Sequence, residues 1–264
     1  RAKQVLTWSL LRNSPTEWRD AKGGLWQVYA ISENGTPLWR TTSNASAAIT
    51  TRAADLKVGG RIGSNLNGRG LAIGIWDGGG VRLTHREFVD RAFQRDVPTT
   101  LNDNHATHVA GTMMAAGVNP IARGMADAAM LWAHDWNSDN SEMAARAAEG
   151  LLISNHSYAD GAGWRLNGGT WEWLGDTTVN DSLDYLFGYY APDARLWDRI
   201  AEQAPNYLIV KSAGNNRNQL GPSGGTRYRI VSVAPSVFST RNRQQRAPFY
   251  DCIPTEGNAK NILT

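Results

Sequence analysis

Four apolar runs, separated by helical or polar sequence, limit the possible folds more than any other feature of this chain. They are Leu71-Ala72-Ile73-Gly74-Ile75-Trp76, Ala129-Met130-Leu131-Trp132-Ala133-His134, Leu151-Leu152-Ile153-Ser154-Asn155-His156-Ser157 and Tyr207-Leu208-Ile209-Val210-Lys211-Ser212. Each has the length of a strand and lacks polar alternation, so each reads as a strand covered on both faces. Helical segments lie between them. His105 to Ala116 is rich in small residues, and Asp139 to Gly150 opens on a capping box of Asp139 with Glu142 and stops at Gly150. Ala194 to Ala204 carries Leu196, Trp197 and Ile200 on one face. This alternation implies an α/β fold, with a mostly parallel sheet, helices on both faces and right-handed crossovers.

The first stretch, residues 1 to about 52, follows a different pattern. Leu25 to Ile31 is rich in β-branched and aromatic residues, Asn34-Gly35 signals a tight turn, and Pro37 to Thr42 is extended again, which together predict a hairpin. The small and polar residues from Ser43 to Thr51 read as a linker, which places a domain boundary near residue 52. A second departure is the Trp- and Gly-rich insertion from Asp160 to Pro192, which holds Trp164, Trp171, Trp173, Tyr185, Phe187, Tyr189 and Tyr190. It reads as a large loop packed by its own aromatics; the alternative is a wall beside a substrate cleft.

With 264 residues the chain can bury one large α/β core plus a small extra piece, and 41% apolar with 19% charged residues suits a globular protein. The net charge of +3 is spread out, and the densest basic group, Arg241, Arg243 and Arg246, reads as a solvated loop, so no nucleic-acid partner is expected. No apolar run approaches a membrane span, so no membrane partner is expected either. A single cysteine, Cys252, leaves no internal disulfide. The chain opens on Arg1 rather than Met, which is compatible with a removed targeting segment.

Ligands of open parallel sheets bind at the carboxyl ends of strands. Asp77, Ser157 and Asn215 each follow a predicted strand at that end, and His105 opens a helix that can reach the same rim. The positive end of a helix disfavours imidazolium, which keeps a ring at His105 able to accept a proton. A carboxylate on its other ring nitrogen, such as Asp77, would fix the tautomer and stabilise the cation once formed. The amide of Asn215 can donate to an oxyanion.

The same residues carry a family resemblance. Ile73-Gly74-Ile75-Trp76-Asp77-Gly78-Gly79 resembles the aspartate motif of subtilisin-like serine peptidases. Asn104-His105-Ala106-Thr107-His108-Val109-Ala110-Gly111-Thr112 resembles their histidine motif, with Ala106 in place of the usual glycine, and Lys211-Ser212-Ala213-Gly214-Asn215 their oxyanion-asparagine motif. The order Asp, His, Asn is the family's order, and the resemblance runs over roughly residues 60 to 264. It implies a secreted, extracellular serine endopeptidase with His105 as general base and then acid, Asp77 as its orienter and Asn215 as oxyanion donor. Losing such a donor costs roughly 3 kcal/mol of transition-state stabilisation, a magnitude known from a subtilisin. The resemblance also assigns Ser157, Tyr158, Ala159, Ser212, Ala213 and Gly214 to the primary specificity pocket, where a polypeptide substrate binds as an added strand. Residues 1 to about 52 would be the β-rich tail of a propeptide, a second partner, and residues 53–264 the peptidase domain. No cofactor is implied; a structural calcium is left open, since Glu172, Asp176, Asp181, Asp184 and Asp193 show no ligand spacing.

One part of the family pattern is missing. No Gly-Thr-Ser-Met-Ala-type nucleophile motif occurs, and Gly257 to Thr264 reads as the lead-in to a further strand. The expectation is a chain cut short at its C-terminus, inactive as it stands; a natural pseudoenzyme or binding domain is the alternative. Gly221-Pro222-Ser223-Gly224-Gly225 matches a nucleophile elbow, but all five histidines precede Ser223 and no helical pattern follows, so Ser223 reads as a loop serine. His105 and His108, one helical turn apart, could with Asp77 or His85 hold a metal in a hydrolase instead. The plainer reading makes His108 a buried helix histidine, and His85, His134 and His156 structural.

Overall fold

The computed structural model describes residues 2–19, 25–31, 35, 37–41, 44–243 and 252–264. Asn34 of the expected turn, Thr42, Ser43 and Arg246 lie outside the described residues. The chain divides into two compact units, residues 1–71, 82–93 and 107–131 in the first, and residues 72–81, 94–106 and 132–264 in the second.

In the first unit, helix α1 (Ala2–Arg12) precedes strands β1 (Glu17–Arg19), β2 (Leu25–Ile31) and β3 (Pro37–Thr41). These form an antiparallel sheet in the order β1-β2-β3, with a register shift between Val28 and Ala30, so the expected hairpin is present. The stretch read as a linker is helical: α2 (Asn44–Thr50) and α3 (Ala53–Leu56) follow directly. Its alanines favour helix once Ala48 is buried. The buried Glu87 carboxylate of this unit accepts from the backbone N–H groups of Gly117, Val118 and Asn119 at 2.7, 3.0 and 2.8 Å. Burial raises its pKa, but these three donors outweigh it and hold the group below its ordinary value.

The larger sheet comprises β4 (Ala72–Asp77), β5 (Ala92–Gln94), β6 (Met130–Asp135), β7 (Ile153–His156) and β10 (Leu208–Lys211) in the order β10-β7-β4-β6-β5, all parallel. Helices α4 (Asn104–Met114), α5 (Asp139–Ala148) and α6 (Pro192–Gln203) lie between its strands in sequence. This is the α/β fold that the apolar runs imply. In the second unit, Trp76, Met143, Leu151, Trp197, Tyr207 and Ile209 form one buried cluster, so α5 and α6 share a core with the sheet. Gly74 makes room for it, since a Cβ there would lie 2.8 Å from both Leu151 and the Trp76 ring.

The Trp76 indole is stacked between two imidazoles, His134 at 4.2 Å and His156 at 5.2 Å between centroids, and its N–H donates to Glu142 at 3.0 Å. Both histidines are buried, in keeping with a structural role. Glu142 is therefore a partner of the core and does not close a capping box. The N-cap of α5 is Ser138, held at φ 70° with no side-chain cap bond, and Asp139 is the first helical residue. Gly150 ends the helix at φ 93°, as expected.

The Trp-rich insertion holds a hairpin as well as loop. Strands β8 (Trp164–Asn167) and β9 (Thr170–Trp173) join β11 (Tyr228–Ile230) and β12 (Val237–Ser239) in a second sheet of the order β12-β11-β9-β8. Trp164, Trp173, Tyr228 and Ile230 form its buried cluster. Arg243 is also buried, its Nε donating to the Tyr228 hydroxyl at 2.7 Å and its Nη1 to Asp181 at 2.9 Å, which corrects its reading as a solvated loop residue. Arg241 pairs with the same aspartate.

Burial lowers the pKa of His134 to about 4 and that of His156 well below the ordinary 6.5. The unfolded chain therefore binds more protons than the folded one below pH 6.5, and stability falls as the pH drops from there toward 4. For His134 the loss is up to about 3 kcal/mol. His134→Phe keeps a ring on Trp76 and should flatten this fall in a series of thermal denaturations from pH 7 to 4; a slope equal to that of the parent would contradict the assignment.

Candidate active site

Register brings the site together. In the paired strands Trp76 lies opposite His156, and His156 opposite Lys211. The next residues, Asp77, Ser157 and Ser212, therefore leave the sheet at one level, at its carboxyl rim. Strand β4 lies at the centre, with later strands on either side, which is where crevices open in such sheets.

Asp77 and His105 meet there. The His105 Nδ1–H donates to Asp77 Oδ1 at 2.7 Å, and the Gly78 backbone N–H donates to the same oxygen at 2.8 Å. The Asp77 side chain is 3% exposed and that of His105 60%, so a buried carboxylate holds a ring open to solvent. Asp77 Oδ2 is buried and has no hydrogen-bond partner among the described residues. Desolvation raises the pKa of Asp77, against the lowering effects of His105 and Gly78.

The histidine is set by its helix start. Asp103 Oδ1 accepts from the Ala106 N–H at 2.9 Å, which caps α4, and the Asp103 N–H donates to Gly80 O at 2.8 Å. Gly80 N–H in turn donates to Thr100 O at 2.7 Å. The loop after Asp77 and the loop before His105 are thus hydrogen-bonded to each other. Sequence reading missed Asp103, although an aspartate three residues before a helical N–H is a recognisable capping signal. His108 is exposed, which corrects its reading as a buried residue: the buried stripe of α4 is Ala106, Ala110 and Met114, and position 108 faces away from it. Among the described residues, no three His, Cys, Asp or Glu side chains gather where a metal ion could be held.

A cleft of about 290 Å³ opens beside the rim. Ser157, Tyr158, Ala159, Ser212, Gly214 and Asn215 all line it; Ala213, exposed in the same loop, does not. Asn215 is exposed and makes no side-chain cap bond in its own turn, so its amide is open to a ligand. Ala162, Trp164, Arg165 and Leu174 of the Trp-rich insertion form further walls, so the insertion also borders the cleft. Two ties fix its shape. Buried Lys211 donates from Nζ to the carbonyl oxygens of Tyr158 and of Ser212, the latter at 3.2 Å, and Asn216 Nδ2 donates to Ala162 O at 3.1 Å. Tyr158 is oriented by a polar chain through the core. Ser154 bridges Tyr207 at 2.6 Å and His156 Nε2 at 2.8 Å, His156 Nδ1 reaches the Tyr158 hydroxyl at 3.1 Å, and that hydroxyl donates to Asp139 at 2.6 Å.

Other candidates fall away from the rim. Ser223 is exposed in a loop that leads directly into the strand β11 rather than into a helix. The carboxylates considered for calcium have protein partners: Glu172 lies between Arg165 and Arg229, which lower its pKa to about 2, Asp176 accepts from Thr178, Asp181 pairs with Arg241 and Arg243, Asp184 accepts from Gly163 and Leu186, and Asp193 accepts from Asn140.

A family model described as the Subtilase family matches residues 68–252. No curated protein matches the chain.

The raised pKa of Asp77 has a defined sign in stability. The folded chain binds more protons than the unfolded one between pH 3.8 and the higher folded value, so stability falls as the pH rises through that window. Asp77→Asn should therefore be at least as stable as the parent at pH 7, with its advantage shrinking as the pH is lowered below 4. Denaturant titrations at both pH values check this; a variant clearly less stable at pH 7 would show that the ionised carboxylate stabilises the fold.

Proposed function

The chain belongs to the subtilase family of subtilisin-like serine peptidases, and from that premise we propose that it forms the Asp-His part of the catalytic machinery of a secreted serine endopeptidase. The Asp77–His105 hydrogen bond is the observation that carries this reading. His105 Nδ1 is engaged with Asp77, which leaves Nε2 to take the proton of an attacking hydroxyl and later give it to the leaving amine. Asp77 holds the tautomer and stabilises the imidazolium. Asn215, exposed on the cleft, donates to the oxyanion. Ser157, Tyr158, Ala159, Ser212 and Gly214 border the cleft into which one side chain of the peptide points, and an extended peptide pairs along these two segments, with Ala213 in the second of them.

In this reading the attacking hydroxyl belongs to a serine of the family's nucleophile motif, a motif not found among these 264 residues. Two observations support this: the sequence lacks a nucleophile motif, and among the described residues no hydroxyl is hydrogen-bonded to His105. Residues 1–264 by themselves would then bind peptide without cleaving it. Leu263 pairs in parallel with Val210 of β10. Residues 1–52 fit a propeptide tail, a partner in cis for the peptidase domain.

Peptide hydrolysis by the gene product that encompasses these residues tests the proposal. A serine-directed phosphonate should abolish it and a chelator of catalytic metals should leave chemistry intact. His105→Ala should lower kcat by about 10⁶-fold, Asp77→Asn by about 10⁴-fold, and Asn215→Ala by about 10²–10³-fold with KM little changed. Activity that survives the phosphonate and is lost to the chelator would favour a metal-dependent hydrolase instead; a folded, inert product would favour a binding role.

A further inference from the structure

Lys211 ends strand β10 on the face that also carries the buried Ile209, so its side chain runs into the core rather than out to water. The residue is 3% exposed. Among the described residues its ammonium forms no ion pair. It donates instead to two backbone carbonyl oxygens, that of Tyr158 and that of Ser212, the latter at 3.2 Å. It also lies 5.4 Å from the centre of the Tyr158 ring. Both acceptors belong to residues that line the cleft, one on the segment after β7 and the other on the segment after β10, whereas Lys211 itself does not line it. One cation thus joins the two borders of the cleft from behind.

An ammonium buried without a carboxylate in contact is costly, and an apolar side chain of similar length would fill the same space without that cost. The charge has a geometric use. Hydrogen bonds from an ion are stronger than those between neutral groups, so the two carbonyls are held more firmly than a neutral donor would hold them. Where a segment pairs as a strand, successive carbonyls point to opposite sides. A Tyr158 carbonyl turned toward Lys211 therefore leaves those of Ser157 and Ala159 for the side on which a peptide would pair. The titratable groups that face Lys211 come from three pieces of chain: His156 across the strand pair, Tyr158 and Asp160 after β7, and Glu256 in the 3₁₀ turn Thr255–Asn258. Burial pulls Lys211 below its ordinary 10.5, against the raising charges of Glu256 and Asp160. Burial also holds His156 well below 6.5 and Tyr158 well above 10, so neither changes charge where Lys211 loses its proton.

We propose that Lys211 is a positioning residue for peptide binding, whose ionised ammonium holds the Tyr158 and Ser212 segments at the separation that an extended peptide requires. The inference rests on the peptidase reading, in which the peptide pairs along these two segments. Lys211 touches neither the peptide nor the reacting atoms; it acts through the two carbonyls that it binds. When its proton leaves to solvent, the amine keeps N–H groups but loses the charge that strengthens both bonds, and the two borders are freed to move relative to each other. Peptide affinity then falls, while Asp77 and His105, which share no hydrogen bond with Lys211, keep their geometry.

The test is steady-state hydrolysis by the gene product that encompasses these residues, with an end-blocked fluorogenic peptide that carries no titratable group, from pH 7 to 10.5. In the parent, KM should rise by about 10-fold at alkaline pH, in a step that falls below pH 10.5. Lys211→Met should raise KM by about 10-fold already at pH 7, with a far smaller fall in kcat, and should show no alkaline step. Lys211→Arg keeps its charge over the whole range; its KM should lie closer to that of the parent at pH 7 and also lack the step, and it serves where Lys211→Met fails to fold. A parent KM that stays flat to pH 10.5, a step that persists in either variant, or equal KM values for Lys211→Met and the parent at pH 7 would overturn the proposal while leaving the peptidase reading intact. If no peptide is cleaved, the peptidase reading fails instead, and calorimetry with the same peptide decides the role of Lys211: binding that weakens at alkaline pH and in Lys211→Met supports it, and binding indifferent to both, or no binding, overturns it.

Discussion

Three parallel strands that end at one level are the constraint on which the rest of the second unit depends. Because Trp76, His156 and Lys211 are cross-strand neighbours, Asp77, Ser157 and Ser212 must emerge together. A slip of one residue in any strand would turn each of its side chains to the other face of the sheet and take its functional residue off the rim. The register is itself secured in the core. Trp76 fills the space that Gly74 leaves open and is stacked between His134 and His156, one from each neighbouring strand. The aromatic packing that holds the strands level is thus the same packing that aligns the chemistry.

Burial imposes costs at this rim, and they fall on the groups that carry function. Asp77 is ionised against a desolvation penalty, with one oxygen doubly hydrogen-bonded and the other without a partner. His134 and His156 remain neutral inside the core. Lys211 is buried yet tied to the two loops of the cleft. Each would be a poor choice for stability alone. Each makes sense where a side chain must be held in one orientation, since a buried polar group with few partners has few alternative positions.

Much of this was legible in the sequence. The unbroken apolar runs match four of the five parallel strands to within a residue or two, because strands covered on both faces need no polar alternation; the short β5 carries no such run. Asp77 and His105 were legible as a pair because a glycine-rich strand exit and a small-residue helix start are local features. Other parts depended on tertiary contacts. The helix at Asn44–Thr50 looked like a linker because its residues are small and polar. Glu142 looked like a cap partner, but its carboxylate belongs to Trp76 from a distant strand. Arg243 looked solvated because nothing local announces Tyr228 and Asp181 as its partners. The β8–β9 hairpin was missed although its signal is local: Gly168 and Gly169, both at positive φ, form the two-residue turn between aromatic strands.

The central claim is that Asp77 holds His105 as the Nδ1–H tautomer with Nε2 free for a hydroxyl. Proton NMR of the imidazole N–H region tests it most directly. The account predicts a far-downfield, one-proton resonance from His105 Nδ1–H, shifted strongly upfield in Asp77→Asn and absent in His105→Ala. No such resonance, or one that persists unchanged in both variants, would contradict it.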